Sequence, residues 1–187
     1  MANTAANVRV GVSGAVYAAP VGTTLPTNED ATLDAAFIDQ GFISDDGITE
    51  QQARSLSNII AWQNASVVRK LQTEHDAMFS FTMIETSDAT LETYYGNFEP
   101  DGGVVQITPD QLPHRSWVID IFDGETDGTP DNVIRIVIPD GQVTEQGDVV
   151  YSNGDAQGYE VTVTSYEDSS GVKAYKYHDT AGADELS

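Results

Sequence analysis

Three histidines, thirty carboxylates and no cysteine set the chemistry open to this 187-residue sequence. Without cysteine there are no disulfides, thiolate metal sites or cysteine nucleophiles. His75, His114 and His178 lie far apart and stand in no metal-ligand spacing. They read as ordinary surface or interface residues. No GxSxG nucleophile elbow, HExxH pair or phosphate-binding glycine loop is present. Neighbouring carboxylates such as Glu74 with Asp76, or Asp45 with Asp46, occur in any chain this acidic and do not by themselves make an acid–base pair. Asp123, Glu125, Asp127, Gly128, Thr129 and Asp131 open like a calcium loop, in which alternate oxygens wrap the ion. The twelfth position is Ile134 instead of a bidentate glutamate, so a solvated turn is the better reading. Asn64-Ala65-Ser66 matches a glycosylation sequon, which matters only behind a secretory signal. Met1 to Val8 has no basic cluster leading into an apolar run, so no such signal is expected. The residues point to no enzyme: no catalytic group, no metal and no cofactor.

Charge narrows the partners. Thirty acids against eight bases give a net charge of −22 and a pI near 4.1. A surface so acidic repels phosphate and cannot supply the Lys and Arg contacts that dominate nucleic-acid affinity. Two explanations remain. One is solubility through self-repulsion, or adaptation to a salty host. The other is a surface that sits beside DNA without holding it. No apolar run approaches the roughly 18 residues that span a membrane.

The elements that would carry these side chains are mostly strands. Alternation over Val8, Val10, Val12 and Gly14, running on to Tyr17, predicts an early strand. Pro20 to Thr32 reads as an exposed loop, and Asp45-Asp46-Gly47 as a turn. Glu74 to Glu85 predicts a strand with His75, Ala77, Phe79, Phe81 and Met83 on one face. Ser87 can cap a short helix whose contacts come from Leu91, Tyr94 and Tyr95, with Gly96 ending it. Further strands are expected at Val104–Ile107, Trp117–Phe122, Val133–Ile138, Gln142–Glu145, Asp148–Tyr151 and Tyr159–Tyr166. Val172–Tyr177 should pair with the last of these as a hairpin through Asp168–Gly171. His178 to Ser187 reads as a polar, mobile tail. Many short strands with one helix indicate a mainly β domain of two packed antiparallel sheets, a sandwich or partly closed barrel.

One segment fits this pattern poorly. Ile48 to Gln72 is too polar for a core strand and too apolar for a solvated loop. Leu56, Ile59, Ile60, Trp62, Val67, Val68 and Leu71 share it with Arg54, Arg69 and Lys70, three of the eight bases. An apolar, locally basic stretch on an acidic protein suggests contact with another copy of that protein. A plain hairpin with half-buried faces is the alternative.

Four stretches, in order, resemble the major tail proteins, or tail tube proteins, of long non-contractile-tailed phages infecting actinobacteria. They are Val10–Thr23 (VGVSGAVYAAPVGT), Phe37–Glu50 (FIDQGFISDDGITE), Ile60–Ala65 (IAWQNA) running on to Arg69, and Phe81–Thr86 (FTMIET). Their order and spacing carry the likeness, which spans most of the chain and is weakest in the last ten residues. The resemblance implies a tail-tube fold with a flanking helix, six copies to a ring, and rings stacked around a tape-measure protein. Tail tip and tail terminator proteins would be further partners, and DNA would pass through an acidic lumen without specific binding. The location implied is the virion tail, after assembly in the host cytoplasm. It implies one tube domain over residues 1–178, with an N-terminal arm at 1–8, a long inter-subunit loop at about 48–72 and a flexible tail at 179–187. Arg54, Ile59, Ile60, Trp62, Val67, Arg69 and Lys70 are then the candidates for contacts between subunits and rings. The alternative from a different class is a soluble β-sandwich binding module, such as a phage decoration or receptor-binding domain. Such a module has no reason to carry the Ile48–Gln72 segment.

Overall fold

The β-branched run Val133–Ile138 begins the strand about which the sheet is organised. The computed structural model describes residues 8–99, 103–126, 129–130 and 132–178. In chain order the elements are β1 (Ser13–Pro20), β2 (Ile38–Asp39), β3 (Ile43–Ile60), β4 (Val67–Met83), helix α1 (Asp88–Tyr95), β5 (Phe98–Glu99), β6 (Val104–Val105), β7 (His114–Phe122), β8 (Glu125–Thr126), β9 (Thr129–Pro130), β10 (Val133–Gln146), β11 (Tyr159–Ser165) and β12 (Tyr175–His178). Most of them join one antiparallel sheet in the order β2-β1-β7-β10-β11-β4-β3, with β12 also on β10. The pairs β5–β6 and β8–β9 stand apart.

β10 joins the two halves. Its first half pairs with β7 on one edge and β12 on the other, and its second half pairs with β11. The strands expected separately at Val133–Ile138 and Gln142–Glu145 are one strand, with a register shift between Ile138 and Gly141 where they join. A Cβ on Gly141 would come within 2.9 Å of both Trp117 and Val163, so the bend needs glycine. Past this bend the sheet curls over itself. Phe81 on β4 meets Trp117 on β7 edge-on at 6.2 Å, although two strands separate them in the sheet. The core fills the space between, with Val16, Phe79, Met83, Ile119, Ile138 and Val161 among its members.

The β1–β7–β10 half is buried on both faces. Val118 and Val137 point away from the main core into a second cluster with Ala19 and Phe37, covered by Leu25, Leu33, Tyr175 and Tyr177. This double burial is why these strands read as continuous apolar runs. Arg135 lies in this second layer. Its Nε and Nη2 donate to the two carboxylate oxygens of Asp120 at 2.7 and 2.8 Å. Its Nη1 donates to the carbonyls of Asn28 and Ala31, fastening the Pro20–Thr32 loop to the sheet. Hydrogen bonding to Asp120 holds the guanidinium pKa above its ordinary value.

The short helix forms as its caps predict. The Ser87 hydroxyl accepts from Thr90 N–H, and Gly96, at φ 76°, ends it in the left-handed region. The expected stripe of Leu91, Tyr94 and Tyr95 packs on the core, and a polar seat adds to it. Thr90, Thr93 and Tyr94 are the buried residues, while Leu91 and Tyr95 are half-buried. Thr93 donates to Oε1 of Gln40 at 2.6 Å, and Thr90 donates to the Gln40 carbonyl. Gln40 is fully buried, so a hydrogen-bonded polar contact adds to the Leu91, Tyr94 and Tyr95 packing in docking the helix.

Other expectations change. Val8, Val10 and Val12 are exposed and precede the first strand, which starts at Ser13. Asp148–Tyr151 forms no strand. Asp168–Gly171 does turn the chain, but β12 pairs with β10 and not with β11. β11 has no free edge to offer, because β10 and β4 occupy both. The acidic 123–131 segment, the terminal stretch 1–7 and the tail 179–187 lie wholly or partly outside the described residues.

Candidate assembly interface

Ile48–Gln72 folds as the distal part of a long β3–β4 hairpin. The pairing runs from Ile43↔Met83 to Ile60↔Val67, and Ala61 N–H bonds back to Ser66 C=O across the tip. Its root is well held. Lys176 Nζ donates to Glu50 at 2.7 Å, and Lys173 Nζ donates to Asp76 at 3.2 Å and to the His75 carbonyl. The bond from Lys176 keeps the Glu50 carboxyl below the ordinary carboxylate pKa. Ser165 ties down the Ala77 carbonyl at 2.9 Å.

Beyond the root none of the described residues covers the hairpin. From Arg54 to Glu74 every residue except Ala61 is exposed. β11 leaves β4 at Met78, so the outer part is a two-stranded ribbon with both edges free. Such a ribbon is marginally stable at best in water by itself. Thr73 and Val68 are extra residues in β4, and these bulges add local twist. They also interrupt the free edges against uncontrolled pairing.

Both faces of this ribbon are apolar and basic. Directly paired residues share a face, as do residues two apart. The pairs Ser57↔Leu71 and Ile59↔Arg69 therefore set Leu71, Ile59 and Arg69 on one side. The pairs Leu56↔Gln72 and Asn58↔Lys70 set Leu56 and Lys70 on the other. Ile60 pairs with Val67 next to the tip, and Trp62 at the tip is 98% exposed. Arg54 lies nearer the root, opposite His75. The fold thus gathers Ile59, Ile60, Trp62, Val67, Arg69 and Lys70 at one end and leaves Arg54 apart.

The bases sort by location. Arg9, Arg115, Arg135, Lys173 and Lys176 each pair with a carboxylate of the same chain. The remaining three of the eight, Arg54, Arg69 and Lys70, form no ion pair among the described residues. All three are on the ribbon.

A second feature was not legible as a site. The expected turn at Asp45-Asp46-Gly47 is a wide bulge within β3, between Ile43↔Met83 and Ile48↔Phe81. β2 covers β1 only at Tyr17 and Ala18. Between the uncovered start of β1 and this bulge, the curled sheet leaves a groove of about 660 Å³. Val12, Phe42, Ile48 and Ile121 line it with apolar surface, and Phe42 is 74% exposed. Asp39, Asp45, Asp46 and Glu85 line it with carboxylates, none of them in an ion pair among the described residues.

The histidines stay apart. His114 meets Asp140 at 2.6 Å and stacks at a tilt on Tyr166, while His75 and His178 lie on other strands. Among the described residues no three metal-capable side chains converge. Among the same residues no helix is long and apolar enough to cross a membrane.

A family model described as "Phage tail tube protein" matches residues 1–182. Curated protein sequences provide no match. Among solved structures, the chain is similar to an Hcp protein at 10% identity and TM-score 0.37, covering 87% of this chain and 96% of that one. It is similar to a chain of a native gene transfer agent particle at 12% identity and TM-score 0.40, covering 78% and 91%. It is similar to a sheath/tube terminator of an extracellular contractile injection system at 10% identity and TM-score 0.45, covering 92% and 99%.

Proposed function

The chain belongs to the phage tail tube protein family, and from that premise we propose that six copies close into a ring and that rings stack into the conduit for DNA. The family is structural, not enzymatic, and its place is the phage virion. One observation carries the assembly reading: the outer β3–β4 ribbon exposes apolar side chains and bases on both faces, and none of the described residues covers or neutralises them. Contiguous apolar surface of this kind marks an interaction site. On a protein of charge −22, the complementary surface nearest to hand is another copy.

In this reading Arg54, Ile59, Ile60, Trp62, Val67, Arg69 and Lys70 make contacts between subunits and rings. Residues 1–178 form one tube domain with residues 1–8 as its N-terminal arm, followed by the tail at 179–187. A tape-measure protein occupies the lumen before DNA, and tip and terminator proteins close the two ends. The net acidity supplies a wall that repels phosphate, so DNA slides through without pausing. The long non-contractile type and an actinobacterial host rest on the four resembling stretches.

Negative-stain electron microscopy of the purified protein at high concentration, with light scattering, tests this. Rings or tubes with six-fold end views are expected. A uniform monomer at every concentration, unmoved by tail-tip proteins, would overturn the proposal and favour a soluble binding module.

A further inference from the structure

We propose that the hairpin arm of one copy docks its Trp62 tip into the β1–β3 groove of a second copy, with Arg69 and Lys70 facing the carboxylates of Asp45, Asp46 and Glu85. This rests on the tube reading and names the surface that receives the arm.

The two surfaces are complementary in both apolarity and charge. The arm end carries Ile59, Ile60, Trp62 and Val67 with two unpaired bases. The groove carries Val12, Phe42, Ile48 and Ile121 with four unpaired carboxylates. Five of the other six bases are already matched within their own domain, and the sixth, Arg54, stands nearer the root of the arm. Because the arm is apolar on both faces, a flat surface would cover only one of them. A groove closes on both.

The contact cannot form within one chain. The Asn58↔Lys70 pair stands ten residues beyond Ile48 along β3. At about 3.3 Å per residue that is roughly 33 Å. An ion pair needs contact within a few ångström, and the paired ladder from Ile48↔Phe81 to Ile60↔Val67 holds the tip away from its own groove. The arm of one copy therefore reaches the groove of the next. That contact is heterologous, and repeated by rotation it closes into a ring or continues as a filament. Each copy offers one arm and one groove, so no half of the contact is left unused within a closed or growing assembly.

Charge exchange tests the docking. The groove variant Asp45→Lys/Asp46→Lys and the arm variant Arg69→Glu/Lys70→Glu should each raise the concentration needed for assembly by about a hundredfold or more, because apposed like charges repel. The quadruple variant, or an equimolar mixture of the two doubles, should recover assembly. Circular dichroism melts establish that each variant folds. The chain has no cysteine, so a Gln63→Cys chain, altered beside the anchor in the tip turn, mixed with a Phe42→Cys chain provides a second, independent readout. Oxidation during assembly should give the mixed disulfide and little of either homodimer. The docking is overturned if the folded quadruple variant fails to assemble, if the groove double assembles like wild type, or if no mixed disulfide forms in assembled protein. Failure of wild type itself to assemble instead defeats the tube reading.

Discussion

Trp62→Ala separates folding from assembly most cleanly. Trp62 sits in the Trp62–Ala65 turn at the arm tip, 98% exposed and with no hydrogen bond or ring partner among the described residues. Truncating an exposed side chain away from caps, cores and networks changes stability by no more than about 0.5 kcal/mol. Denaturation of the monomer should therefore be unchanged. In the proposed docking the same indole is buried at every contact. Aromatic anchors at the centre of an interface cost about 2–4 kcal/mol when truncated to alanine. At 1.4 kcal/mol per tenfold, this raises the concentration for half-assembly about 30- to 700-fold. Light scattering against protein concentration reads that shift, and urea unfolding reads the stability. Unchanged assembly would refute the arm as an anchor. A loss of several kcal/mol in the monomer would show that Trp62 packs on its own chain.

Arg69→Glu should leave monomer stability within about 1 kcal/mol, since the residue forms no ion pair there, yet impair stacking in electron micrographs. Assembled tubes should show no micromolar binding of short DNA by fluorescence anisotropy at physiological salt, because −22 per chain repels phosphate. Arg135→Met should cost about 3–5 kcal/mol in urea unfolding, as it leaves the buried Asp120 carboxylate unpaired, and adding Asp120→Leu should restore most of the loss. The Glu50 pKa is depressed by Lys176, so its contribution is present above the unfolded value of 4.5 and fades as pH falls through the lower folded value. Lys176→Met should remove most of that pH dependence, leaving the smaller part due to Gln52, with an amplitude below about 1 kcal/mol for so exposed a pair.

Local signals explain what could be read along the chain. The alternation of Ala77, Phe79, Phe81 and Met83 sets one face of β4 in the core, and Tyr159, Val161 and Val163 do the same for β11. Ser87 and Gly96 bound the helix because caps act on adjacent backbone groups. The mixture of tryptophan, aliphatics and bases in 48–72 marked the arm without its geometry. Missed features depend on partners distant in sequence. Val172–Tyr177 looked like the mate of the preceding strand, yet β4 had already taken the edge of β11. Gln40 carried no signal as the helix's seat, since its partners Thr90 and Thr93 are fifty and more residues away. Asp45-Asp46-Gly47 has turn composition, and only the pairing of β3 on both sides makes it a bulge beside a groove.

By itself the sequence determined the class of protein: mainly β, one capped helix, strongly acidic, without cysteine, and with one segment too apolar and too basic for its surroundings. Strand periodicity, helix caps and net charge are properties of neighbours or of sums, and need no three-dimensional information. Only the tertiary structure decided that five bases are neutralised at home while Arg54, Arg69 and Lys70 find no carboxylate among the described residues. The same holds for the core that stops at the root of the β3–β4 hairpin and for the curled sheet that stays open between β1 and β3. Pairing and burial join residues far apart in the chain, and which of them meet is settled by the competition of all strands for a limited set of edges.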